Sequence, residues 1–204
     1  LPHANPGTMS RREVEALQPF NPSMGLMLES TSRHLYATGG PHEFAPSKRP
    51  RVRLRTIELA GELGVPFTTG ILIGIGETRE DRVEALLAIR RLHQAYGHIQ
   101  EVIIQNFRAK PATPMAGAPD ASTLDLLWTV AVSRVILGPD MNVQVPPNLS
   151  AQDYQIYLDA GINDWGGVSP LTIDFVNPEA PWPGLADLRD RSLDMGFELR
   201  PRLP

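Results

Sequence analysis

Apolar residues run almost unbroken from Val65 to Ile75, and shorter runs recur over 23–30, 98–107, 142–145 and 162–168. A strand covered on both faces reads as such a run rather than as an alternation. Between the runs, apolar positions return with helical spacing and carry start and stop signals. Ser10 and Glu13 form a capping box for a short helix with Val14 and Leu17. Val52, Thr56, Leu59 and Leu63 mark the inner stripe of a helix over about 51–63, with Gly64 as its stop. Thr78 and Asp81 open another, striped by Ala85, Leu86, Ile89, Leu92 and Tyr96 and ended at Gly97. Ser122 and Asp125 open the next, with a buried stripe expected at Leu124, Leu127, Trp128, Ala131 and Val135. Ser150 and Asp153 cap a helix with Tyr154, Tyr157 and Leu158, and a last helix covers about 185–195. Leu1 to Gly7 reads as the loop after a strand that lies outside the chain.

One strand per helix, in strict alternation, implies parallel strands joined by right-handed crossovers. The expected fold is α/β: an incomplete parallel (β/α) barrel of the TIM type, about strands 4 to 8. A closed eight-stranded barrel takes ~250 residues, more than the 204 present. An open doubly wound sheet is the alternative. The whole of 1–204 reads as part of one domain, with an extension from about 173 to 204.

Composition narrows the function classes. Nineteen basic against 23 acidic residues give a net charge of -4, which argues against a polyanion-binding surface and so against nucleic acid. No run of 18 apolar residues crosses a membrane and no leader pattern opens the chain, so a cytoplasmic protein is expected. Cysteine is absent, which removes disulfides and thiolate ligands for zinc or an iron–sulfur cluster. The histidines (His3, His34, His42, His93, His98) lack metal-ligand spacing and read as surface or loop residues. Twenty prolines gather where strands end, which stiffens long loops on one side of the sheet.

Those strand ends carry the candidate chemistry. They are Glu29-Ser30, then Gly74 to Glu77, then Gln105-Asn106-Phe107-Arg108, then Pro146-Pro147-Asn148, and last Asp164 to Ser169. In a barrel they converge on one mouth. They offer carboxylates, amides, a guanidinium and bare glycine backbone, which suits a polar organic ligand. No nucleophile–base pair, phosphate loop or paired metal ligands stand out, so the reactive component would be a cofactor.

The segments Met24 to Ser30, Arg51 to Thr78, Gln105 to Pro111, Gln144 to Asn148, Asp164 to Thr172 and Asn177 to Pro183 resemble the radical S-adenosylmethionine enzymes that form the deazaflavin chromophore FO. The resemblance covers essentially the whole chain. It implies S-adenosylmethionine and a 4Fe-4S cluster as cofactors, with three cluster cysteines in a loop outside this chain. It implies as substrate an adduct of a hydroxybenzyl group with a ribityl-aminouracil, closed to a tricycle with loss of ammonia. The chain alone would then be inactive, needing the amino-terminal half of the barrel. A partner radical enzyme, fused or associated, is a further implied partner.

On that resemblance, Glu29 and Ser30 would meet the cofactor's ribose, and Arg53 its carboxylate, with Arg49, Arg51 and Arg55 as competitors. Gly74, Gly76 and Glu77 would shape the floor under the adenosyl group, and Asn106 and Phe107 would touch adenine. Arg108, Asn148, Asp164, Trp165, Gly166, Gly167 and Ser169 would meet substrate. Each has a plainer reading: a tight βα turn for the glycines, a solvated helix face for the arginines, core packing for Trp165 as for Met24 and Met27. Two rival functions stay open, the partner radical enzyme and a non-catalytic barrel remnant that binds another protein.

Overall fold

The computed structural model describes residues 2–150, 153–169 and 171–201. Five strands form one parallel sheet in chain order: β1 (His3–Ala4), β2 (Ser23–Gly25), β3 (Phe67–Ile73), β4 (Ile99–Asn106) and β5 (Asn142–Gln144). The helices are α1 (Arg11–Leu17), α2 (Pro50–Glu62), α3 (Arg79–Tyr96), α4 (Thr123–Leu137), α5 (Ile156–Ala160) and α6 (Leu185–Asp194). Sequential order with every pair parallel is the arrangement of a barrel wall, here left open. Among the described residues no helix is long and apolar enough to cross a membrane.

The sequence-based strands need three corrections, the first being that the strand expected over 23–30 ends at Gly25 and returns only as the Glu29–Ile71 bridge. His3 and Ala4 pair with Ser23 and Met24, so the opening segment contains a strand rather than only a loop. The expected strand over 162–168 contracts to one bridge, Gln144 to Asp164, because the backbone turns at Gly166, where φ is 73°. Residue 1, the 151–152 part of the expected Ser150–Asp153 cap, and Pro170 lie outside the described residues.

The centre of the wall is the β3–β4 ladder, in register from Thr68–Glu101 to Ile73–Asn106. Phe67, Thr69, Ile71 and Ile73 are buried beneath the helices, which turns Thr68, Gly70 and Leu72 to the inner face. A Cβ on Gly70 would strike the Ile103 carbonyl oxygen and meet Met27 Cε at 2.8 Å, so only glycine fits there. Met24 packs under the helices as expected, whereas Met27 is only half-buried on the inner side.

Local signals place the helices well. Ser10–Glu13 and Thr78–Asp81 are complete capping boxes, Ser122 accepts from the Asp125 amide, and Gly97 ends α3 in the left-handed region. The facing of α4 differs from the expected one. Leu126, Thr129, Val130 and Ser133 are buried, while Leu124 and Val135 are 71% and 83% exposed. The helix is apolar on nearly every side, so periodicity fixes no phase. Thr129 and Ser133 satisfy their hydroxyls by donating to the carbonyls of Asp125 and Thr129, at 2.6 Å each, and so can be buried. In α2 likewise, Val52 is exposed and Arg53 is buried.

Candidate functional site

Glu29 sits where β2 has ended, bridged to Ile71, with its amide donating to the Gly70 carbonyl and its carbonyl accepting from Leu72. Its φ is 66°, a left-handed conformation rare for a residue with a side chain. Such strain gathers at functional positions when the surroundings over-determine it. The surroundings are cationic. Lys48 donates to Oε1 at 2.6 Å, Arg53 stands 3.1 Å from the same oxygen, and His42 Nε2 is 3.4 Å from Oε2. Oε2 itself, although buried, accepts no hydrogen bond.

Arg53 also donates from Nε to the Ser47 carbonyl at 3.0 Å and from its terminal nitrogen to the Met27 carbonyl. Its place beside Glu29 is thus fixed by α2 and the 31–49 loop together. His42 corrects the surface reading: it is buried, and burial holds its pKa below the ordinary value, with Lys48 and Arg53 adding to this and Glu29 opposing it. His98 is also buried and donates from Nε2 to the Ile57 carbonyl at 2.9 Å. Ser30, buried next to Glu29, accepts from the Ser32 amide at 3.1 Å.

The glycine turn after β3 is built from within. Glu77 accepts from the Gly74 and Ile75 amides at 2.8 and 2.9 Å and from Arg82 at 2.8 Å. Arg82 in turn donates to Thr129 and lies 3.4 Å from Asp125, which ties the turn to α4. Glu77 therefore holds the turn's shape, as the plainer reading has it. Gly74 and Gly76 have φ of 94° and 110°, and a Cβ at Gly74 would meet Ala121 Cβ at 2.7 Å. The Gly76 carbonyl is hydrogen-bonded to His34 at 2.8 Å.

A second polar group stands where β4 and β5 end. Asn106 Nδ2 donates to the Leu149 carbonyl at 3.2 Å, and Arg108 reaches that oxygen at 3.5 Å while pairing with Asp120. Asn148 Nδ2 donates to Asp174 at 3.0 Å and to the Ala180 carbonyl at 3.1 Å. Both asparagines are more than nine-tenths buried, and the Oδ1 of each has no partner. Phe107, half-buried, joins through its backbone to Ile73 and Ala121.

The 164–169 segment divides differently. Trp165 is 6% exposed, lies edge-on to Tyr154 at 5.4 Å and donates to Ser192, so it is core under α6. Asp164 accepts from the Gly166 amide at 2.8 Å, and Gly166 is pressed against the Gln144 side chain. Ser169 accepts from Thr172 at 2.8 Å. Asp164, Trp165, Gly166 and Gly167 line a cavity of about 900 Å³ with His3, Ser23, Thr68 and Glu101, toward the amino ends of the strands. Glu29, Glu77 and Arg108 do not line it. The structure thus brings together Glu29 with Arg53, and Asn106 with Arg108 and Asn148, and sets Trp165 apart. Sequence reading missed Lys48, His42, Arg82, Lys110, Asp174 and Asn177, polar residues in loops or helix interiors whose spacing carries no signal.

An open parallel (β/α) wall with polar groups at the carboxyl ends of its strands is part of a TIM-type (β/α) barrel, and solved barrels share it. Methylornithine synthase (PylB) superposes with a TM-score of 0.69 at 18% identity, over 98% of this chain and 58% of that one. The FeFe-hydrogenase maturase HydG from Carboxydothermus hydrogenoformans gives 0.65 at 20% identity, over 96% and 47%. These likenesses speak to fold alone.

Sequence narrows the class. Over its whole length the chain is 58% identical to 7,8-didemethyl-8-hydroxy-5-deazariboflavin synthase of Methanopyrus kandleri and to FO synthase of Streptomyces avermitilis. The synthase of Methanococcus maripaludis is 53% identical, also over the whole chain. The chain spans 61%, 24% and 57% of these relatives respectively. No family model matches the chain.

The residues can be tested against the cofactors that the resemblance implies. Among the described residues no three His, Cys, Asp or Glu gather to hold a metal, and the chain has no cysteine to offer a cluster a thiolate. The nucleoside end fits better, since Glu29 keeps an unpartnered carboxylate oxygen that can accept from a hydroxyl.

Proposed function

We propose that residues 1–204 form the carboxyl-terminal part of one radical S-adenosylmethionine barrel, with 173–204 as its extension, in a protein that makes the deazaflavin FO. The carrying observation is the 58% identity over the whole chain to proteins named for that synthesis. The substrate in this reading is the hydroxybenzyl–ribitylaminouracil adduct, and ring closure releases ammonia.

Within the reading, Glu29 and Ser30 hold the ribose of S-adenosylmethionine, and Gly74, Gly76 and the backbone at Asn106 and Phe107 border its adenine. Arg53 acts through Glu29, which it pairs and orients, and Glu77 acts through the turn it ties. When bound, S-adenosylmethionine would supply a hydrogen-abstracting radical, and the cluster that this chemistry needs would be held by residues outside this chain. This chain's residues bind, orient and exclude water. Asn106, Arg108 and Asn148 offer acceptors and a cation to the uracil and ribityl groups, whose N–H and O–H groups are donors. Ser169 follows from the same resemblance, whereas Asp164, Gly166 and Gly167 line the separate cavity with Trp165.

The test is anaerobic turnover of the full-length parent with S-adenosylmethionine, a one-electron reductant and the adduct. Fluorescent deazaflavin together with 5′-deoxyadenosine is the expected product pair. Formation of 5′-deoxyadenosine without deazaflavin would assign the barrel to another radical reaction, including that of the partner enzyme.

A further inference from the structure

The segment after Ser169 crosses the ends of β4 and β5 without a helix or strand of its own until α6 begins at Leu185. Among the described residues none from 169 to 187 belongs to the hydrophobic core or packs on its edge. Leu171 and Phe175 are 96% and 85% exposed. Polar side chains attach the segment instead. Asp174 accepts from Asn148, from Asn177 at 2.9 Å and from the Val176 amide at 2.9 Å. Lys110, in the loop after β4, donates to Asn177 at 2.8 Å and pairs with Glu179. Asn148, in the turn after β5, donates to the Ala180 carbonyl.

Two buried acceptors without a donor lie at this corner: the Oδ1 of Asn148, which holds the segment, and that of Asn106, whose amide is joined to Leu149 beside it. Each amide is held in place by its own N–H donating elsewhere, so the oxygens keep their direction. A buried acceptor without a donor is a standing cost that a donor-bearing ligand would remove. A segment joined by polar bonds alone is also the part that opens first.

We propose that residues 171–180 are a strap clasped over the β4–β5 corner of the mouth by Asp174 and Lys110, and that lifting it opens the Asn106 and Asn148 oxygens to an N–H- or O–H-bearing ligand. The strap rests on the geometry described here; the ligand class deepens the proposed function and rests on it.

Hydrogen exchange on the full-length parent tests the clasp. Asp174→Ala is expected to speed exchange over 171–184 at least ten-fold and Lys110→Ala a few-fold, with 67–73 and 99–106 unchanged. Equal protection in both variants and the parent would overturn it. Equilibrium binding of the hydroxybenzyl–ribitylaminouracil adduct tests the lid: the expected affinity is several-fold tighter for Asp174→Ala, because opening no longer opposes binding. Equal or weaker affinity overturns the lid. Absence of binding to both overturns the ligand class and counts against the synthase reading, whereas the exchange result is independent of it.

Discussion

Two corners of the same sheet edge solve the burial of polar groups in opposite ways. At the end of β2, one carboxylate, Glu29, is set among Lys48, Arg53 and His42 in a strained backbone. At the ends of β4 and β5 the buried groups are neutral amides joined to Asp174 and to the partly exposed Lys110–Glu179 pair, and two amide oxygens are left without donors. The first corner is bound by charges, each of which would be costly to leave uncompensated in a buried place. The second is bound by hydrogen bonds to a segment lacking core contacts, so each link is modest and the whole can let go. Holding and releasing are thereby assigned to different strands of one fold.

The largest expected effect breaks the charged corner. Arg53→Ala removes a buried partner of Glu29 and the donor to the Met27 carbonyl, and should cost about 3 kcal/mol. Chemical denaturation checks it; a loss within ~0.5 kcal/mol would mean Lys48 and His42 alone compensate Glu29. Next, Asn148→Ala removes two donors from the strap and should cost about 1–2 kcal/mol, with the change in hydrogen exchange confined to 171–184 and the β5 turn. Smaller still, Lys110→Ala severs a pair with half-exposed Glu179 and should leave the denaturation midpoint within ~1 kcal/mol. If it costs more than Asn148→Ala, the contrast between the corners is lost.

Acid separates the corners without mutation. Burial alone would raise the Asp174 carboxyl, but the donors from Asn177, the Val176 and Asn177 amides and Asn148 outweigh it and hold it below its ordinary 3.8. A carboxylate with a depressed folded value contributes stability that is fully present above the unfolded value and is lost as pH falls through the folded one. The strap should therefore stay clasped until the pH is below about 3.8. At the other corner His42 is depressed by burial. The unfolded chain binds its proton first, and the 31–49 loop should lose stability as pH falls below 6.5. NMR titration of the Asp174 carboxyl carbon and the His42 ring checks both, and a midpoint at or above the ordinary value for either would show its environment to be otherwise.

Much of the wall was legible because its signals are local. The Thr78–Asp81 box and Gly97 bracket α3, and Ser122 caps α4, all within one or two turns. Illegible parts depend on partners far along the chain. The phase of α4 was hidden by apolar residues on every side and decided by hydroxyls that satisfy themselves. Glu29 could be found as a charge at a strand end, but its cations come from an irregular loop whose pattern predicts nothing. Trp165, placed at substrate by the resemblance and in the core by the plainer reading, packs against Tyr154 and α6, which sequence spacing does not reveal.

One absent methyl group has consequences well beyond its size. Because the inner side of Gly70 lies against the Ile103 carbonyl, a single added carbon would wedge the longest ladder apart at its middle. The two strands could then part neighbour by neighbour, and the mouth above them would lose the level on which both of its corners stand.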